Sequence, residues 1–261
     1  MKNLPLFFCG AFATIAFSWS GLILSQQIQI GHLEPYVGHK GGDPNGDMIR
    51  YPEPTPKGGA ASAGRDEYIR LGCLYCHSQQ IRPATLFPKD QGDIARGWGP
   101  RETVARDYIT QDRVLLGTMR TGPDLANVGA RLAPDWHYLH FFDPAIISPG
   151  SNMAPFAFLY KRVELKEGQA LPARAVNFRA GVAGNAVAAY RLAHPYVAKI
   201  ASDLEKKDDA KIGAEAVTAY EKKRGYDATT QFVPTERLDN LIAYLMSLKI
   251  EGDLPEARIK D

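Results

Sequence analysis

Cysteine, net charge and a strand–helix alternation are all scarce in this chain, and each shortage removes a class of protein. Three cysteines occur in 261 residues: Cys9, Cys73 and Cys76. A structural zinc site needs about four ligands, and no second cysteine pair exists to supply them. A thioredoxin-like redox pair is expected beside a βαβ pattern, and this Gly-, Pro- and Ala-rich sequence has none. Acids and bases nearly cancel at a formal charge of +2, so nothing suggests a nucleic-acid partner. The length allows one or two domains with a real core.

What is present starts at Gly72-Cys73-Leu74-Tyr75-Cys76-His77. C-x-x-C-H is the attachment signature of a c-type haem. Two thiols at this spacing match the two vinyl groups of the porphyrin. The adjacent His77 then supplies one axial nitrogen to the iron. One covalent haem c on Cys73 and Cys76 is therefore expected, which leaves Cys9 alone and rules out a disulfide framework.

Leu4 to Leu24 carries no charge and only three hydroxyl side chains, Thr14, Ser18 and Ser20. About 20 such residues span a bilayer as a helix. A secretory leader has a shorter apolar core and a small-residue cleavage site after it. Ser25-Gln26-Gln27-Ile28 offers no such site, so residues 1–30 read as a retained transmembrane anchor. Lys2 precedes the span and Lys40 is the first basic residue after it. The positive-inside rule thus places the remainder outside the cytoplasm, where c-type haem is attached, on the periplasmic side of a bacterial inner membrane. Residues 31–63, dense in Gly and Pro, read as a linker. His32, His39 and Met48 fall there with no diagnostic spacing.

From residue 64 to 250 the pattern is that of a cytochrome domain. Arg65 to Leu71 reads as a short helix with acids in its first turn, running into the haem motif as in class I cytochromes c. For the second axial ligand the candidates are Met119, Met153, Met246, His137, His140 and His194. Met153 lies in Ser148-Pro149-Gly150-Ser151-Asn152-Met153-Ala154-Pro155, too broken for a helix or strand, and is the expected ligand, with Met119 its rival. Gly122-Pro123 is a turn signal. Following C-x-x-C-H, it is expected to set the Pro123 carbonyl against the other ring nitrogen of His77. Pro134 to Phe142 reads as a helix ending before Pro144, with His137 and His140 on one face. Leu238, Leu241, Ile242, Leu245 and Leu248 follow a helical period, with Thr235 as N-cap. Residues 161–233 read as a helical insertion, with helices over Ala186–Leu192 and Val197–Arg224 and an exposed turn or helix end at Lys206-Lys207-Asp208-Asp209. Residues 251–261 form a tail.

Taken together, Cys73 to Gln79 with Ile81-Arg82-Pro83, Arg120-Thr121-Gly122-Pro123-Asp124-Leu125, Trp136-His137 with His140, and Ser151-Asn152-Met153 resemble the mono-haem subunit of cbb(3)-type cytochrome c oxidases. The resemblance is close over residues 64–160. It implies an all-α, class I cytochrome c domain on one N-terminal transmembrane helix. That domain would pass single electrons from a di-haem or soluble cytochrome c to a catalytic subunit carrying haem and copper. Arg120 and Arg82 are candidates for contacts with the haem propionates. Three features depart from the family pattern: Gln80 where Met is usual, Ala154 where Pro is usual, and residues 161–233. The cytochrome subunit of a nitric oxide reductase and a haem-based gas sensor are the competing functions.

Overall fold

The computed structural model describes residues 3–39, 45, 47–52, 58–88, 90–166, 168–170, 172, 174–193, 204–250, 252, 254 and 256–257. His194, and the 197–203 part of the helix expected to run to Arg224, lie outside them. The chain forms two compact units, Met1–Pro56 with Ile81–Val114 and Ile250–Asp261, and Lys57–Gln80 with Leu115–Lys249.

The first unit begins with an uninterrupted helix, Leu4–Ile30, long and apolar enough to cross a membrane. It comprises α1 (Leu4–Trp19), a wider π turn (Ser20–Leu24) and α2 (Ser25–Ile30). Phe7, Phe12 and Phe17 are each more than two-thirds exposed on it, an arrangement costly in water and favourable in lipid. The hydroxyls of Thr14, Ser20 and Ser25 donate to the carbonyls of Gly10, Ala16 and Gly21 one turn back. These three hydroxyls are thereby satisfied within the helix.

Two strands follow in the stretch read as a linker. β1 (Tyr36–His39) pairs antiparallel with β2 (Met48–Tyr51), Tyr36 opposite Tyr51 and His39 opposite Met48. The Gly and Pro density of the segment hid these two four-residue strands from a composition-based reading.

The described residues of 81–114 hold two short 3₁₀ turns, Ala84–Leu86 and Ala105–Tyr108, and are fixed by arginines. The Arg101 side chain is fully buried. Its Nη atoms donate to both carboxylate oxygens of Asp107 at 3.0 and 2.9 Å, and it also donates to the carbonyls of Glu102 and Gly252. Its guanidinium lies 5.6 Å from the Tyr51 ring centre.

The second unit is the helical domain. α3 (Ala60–Arg70) and α9 (Glu236–Met246) cross, and Gly64 marks the crossing. A Cβ there would sit 1.8 Å from the Asn240 carbonyl oxygen. Leu238, Leu241, Ile242, Leu245 and Leu248 are all buried, as their period requires. Two local expectations are corrected. α3 starts a turn before Arg65, at Ala60, so Asp66 and Glu67 are not in its first turn. Gly59 carries no capping side chain, and packing on α9 rather than a cap signal defines this end. Thr235 does occupy the N-cap position of α9, but its hydroxyl donates to the Leu159 carbonyl instead of capping the helix.

Between these helices lie α4 (Val128–Arg131), α5 (Pro134–Phe142) and α6 (Pro144–Ile147). The insertion leaves through β3 (Tyr160–Glu164) and returns through β4 (Thr230–Pro234), paired antiparallel from Tyr160 opposite Pro234 to Glu164 opposite Thr230. It carries α7 (Phe178–Ala193), which begins earlier than expected, and α8 (Leu204–Arg224). Lys206 to Asp209 lies inside the first turns of α8. Phe178, 0% exposed, meets Phe142, Phe232, Tyr220 and Tyr226 with ring centres 5.2–6.0 Å apart.

Candidate functional site

α3 ends where Gly72 turns left-handed at φ +73, a conformation glycine adopts without a Cβ penalty. The cysteine motif then folds into a single 3₁₀ turn, Cys73–Tyr75. The amides of both Cys76 and His77 donate to the Cys73 carbonyl, at 3.1 and 3.0 Å. One turn thus presents two thiols and an imidazole together.

The return segment 116–125 holds that turn in place. Four backbone bonds of 2.8–3.0 Å connect them: Thr118 N to Leu74 O, Gln79 N to Leu116 O, Gly122 N to Cys76 O and Leu125 N to Ser78 O. His77 Nδ1 lies 2.8 Å from the Pro123 carbonyl oxygen. Because a carbonyl only accepts, Nδ1 carries the proton and Nε2 keeps its lone pair free. A Cβ on Gly122 would sit 2.2 Å from His77 Cε1, so only glycine lets the chain pass flat against the ring. Burial lowers the His77 pKa, opposed by the Pro123 bond and the charge of Asp124. The ring is therefore held neutral, the form that ligates metal.

Asp124 was not singled out from the sequence, yet it is the knot of the site. It is 0% exposed and accepts from Ser78 Oγ at 2.6 Å, Gln80 N at 2.7 Å and Ala126 N at 2.8 Å. Arg120 Nη2 approaches its carboxylate at 3.6 Å and also donates to the Gln80 carbonyl. The Gln80 side chain is exposed, so at this departure from the family pattern it is the backbone that is used. The same segment of sequence that supplies Pro123 supplies Asp124, which by sequence alone is a turn residue.

Of the two cysteines, Cys73 packs partly buried against the core and Cys76 is exposed; both are free. Burial pushes the Cys73 thiol up to about 12, the opposite of the depressed value that a thiol–disulfide exchange catalyst uses. Met153 is partly buried against the same core as Cys73 and Leu125. Met119 is 60% exposed. Arg82 belongs to the other unit, where it donates to both oxygens of Asp93, at 3.2 and 3.0 Å, and lies 4.3 Å from the Phe87 ring centre. Both arginines considered for propionates therefore have protein partners.

His137 and His140 stand on α5. Trp136 stacks on His140, with ring centres 4.3 Å apart, and meets His137 edge-on. Both imidazoles are lowered to about 4 by burial, and protonation of His140 is further opposed by the neighbouring imidazoles of His137 and His77.

The residues present fit a haem. One turn carries two thiols and an imidazole with a free Nε2, and Cys73 of that turn and the Met153 thioether pack against the same apolar core. His137 Nε2 and His140 Nδ1 are buried without a hydrogen-bond partner, polar atoms that a bound group with acceptor oxygens would satisfy. Among the described residues no three His, Cys, Asp or Glu side chains are grouped to hold a metal ion by themselves.

No curated protein matches the chain in sequence. A family model described as cytochrome c oxidase, mono-haem subunit/FixO matches residues 54–251, which takes in the cysteine turn, its return segment, Met153 and α9. The chain belongs to the FixO family of mono-haem cytochrome c oxidase subunits.

Proposed function

We propose that this protein is a membrane-anchored, mono-haem c-type cytochrome that delivers single electrons to the catalytic subunit of a haem–copper oxidase. Cys73 and Cys76 would hold the haem through thioethers, His77 Nε2 and Met153 Sδ would ligate its iron, and the haem would supply a one-electron couple when bound. The observation that carries the reading is the fixed imidazole: Pro123 holds one ring nitrogen at 2.8 Å while Gly122 leaves no room for the ring to turn. A ligand immobilised in this way changes little between oxidation states, which suits rapid electron transfer. Asp124 keeps the two strands of the site in register, and Met153, anchored against the core, is better placed than the exposed Met119 to be the sulfur ligand.

The helix Leu4–Ile30 anchors the protein in the bacterial inner membrane, and the haem domain lies on the periplasmic side. The partners are a catalytic subunit with haem and copper, a di-haem or soluble cytochrome c as donor, and the lipid bilayer. Residues 31–63 connect anchor and cytochrome domain, residues 161–233 are an insertion within the 64–250 domain, and residues 251–261 form its tail.

Detergent purification with optical spectra and metal analysis tests this reading. Haem should survive acid–acetone extraction, and replacing Cys73 or Cys76 by Ser should weaken or abolish that retention. Met153→Leu should remove the sulfur-to-iron charge-transfer band and lower the potential, and Met119→Leu should do neither. The reverse outcome would reassign the ligand. Co-purification with an iron-only partner would favour a nitric oxide reductase, and ready carbon monoxide binding by the reduced wild type would favour a sensor.

A further inference from the structure

Two buried imidazoles on α5 have no task in the reading above. His137 is 2% exposed and its Nε2 has no hydrogen-bond partner; His140 Nδ1 is buried and equally unpartnered. An unmatched buried polar atom costs about 1–3 kcal/mol, and few persist in native proteins without a reason. Three residues apart, the two side chains share one face of the helix. Stacking under Trp136 at 4.3 Å, with an interplanar angle of 20°, fixes the ring of His140. Protonation of His140 is also opposed by His137 and His77. Both rings are neutral near pH 7 and so each carries one N–H.

A haem brings carboxylates that only accept hydrogen bonds and that need donors wherever they are shielded from water. The two arginines that sequence suggests for that task are engaged. Asp93 takes the Arg82 guanidinium through two bonds, and the Gln80 carbonyl and Asp124 take Arg120.

We propose that His140 Nδ1–H and His137 Nε2–H donate to haem propionate oxygens, so that α5 positions the cofactor by its carboxylate edge. This rests on the haem reading, and the test separates the two. The full chain, purified in detergent, is compared as wild type, His140→Leu, His137→Leu and the matching Gln variants, whose amide N–H can replace the donor. Haem content is measured first. Propionates labelled with ¹³C are then followed by reduced-minus-oxidised infrared difference spectra, together with the reduction potential.

Each Leu variant should shift the labelled carboxylate band and the potential, and Gln should bring both back towards wild type. Labelled bands at the same position in wild type, Leu and Gln proteins with full haem content would overturn the proposal while leaving the haem reading intact. A wild type without covalent haem would overturn both. Should the Leu variants lose haem, wild type decides alone: the labelled band should move slowly on transfer to deuterium oxide, and an unmoved band overturns the proposal.

Discussion

Two long excursions both use arginine–carboxylate pairs, but only one adds a cluster of packed rings. Residues 81–114 carry almost no regular structure and are held by arginine–carboxylate contacts: Arg101 on Asp107, Arg82 on Asp93, Arg106 on Glu256. The insertion 161–233 is helical and packs through aromatic rings around Phe178 and Phe142, with Arg224 and Tyr220 also bonded to the buried Asp143. Directional charge pairs can fix an irregular backbone whose own groups are unpaired, because the guanidinium also satisfies stray carbonyls such as those of Glu102 and Gly252. Rings need a surface to pack on, which the helices and the β3–β4 pair provide.

The comparison makes graded predictions. Arg101→Met leaves Asp107 buried and uncompensated, and should cost about 3–5 kcal/mol, read as lost amide protection across 81–114 with 160–234 unaffected. Phe178→Ala should cost about 3–4 kcal/mol, with the two regions exchanging roles in the same measurement. The double variant Arg101→Met with Asp107→Leu sharpens the contrast. Replacing both charges should return stability to within about 1–2 kcal/mol of wild type, and a cost equal to that of the single variant would show that the carbonyl contacts dominate.

The smallest effect concerns pH. Hydrogen bonds from Arg106 hold the Glu256 carboxyl below its ordinary value of 4.5. The unfolded chain then takes up its proton first, so the contribution of this pair is present above that value and is lost as pH falls through the depressed one. Acid should loosen the amides of Leu254 and Ala257 before those around Phe142 and Phe232, as hydrogen exchange between pH 5 and 3 can read.

The legible parts were those whose causes are local. Cys73 to His77 sits on one turn, the apolar period of α9 spans eleven residues, and Pro134 and Pro144 mark where α5 begins and where the helix after it begins. The other parts depend on partners distant in sequence. Arg101 meets Gly252 across 151 residues, and Arg237 meets Glu67 across 170. Asp124 reads as a turn residue until Ser78 and Gln80 are seen to point their donors at it. The start of α3 was misjudged because the glycine that lets it approach α9 resembles, in sequence, a helix breaker.

The pairing of Glu164 with Thr230 brings the two ends of a 65-residue detour back to neighbouring positions. Whatever lies between them can be lengthened, trimmed or replaced at little entropic cost, since doubling such a loop adds only about 0.6 kcal/mol. Its inner rings, which plug the wall around Phe142, are the exception. Descendants of such a chain are free to vary the outer surface of the detour, while the turn that carries Cys73, Cys76 and His77 is left untouched.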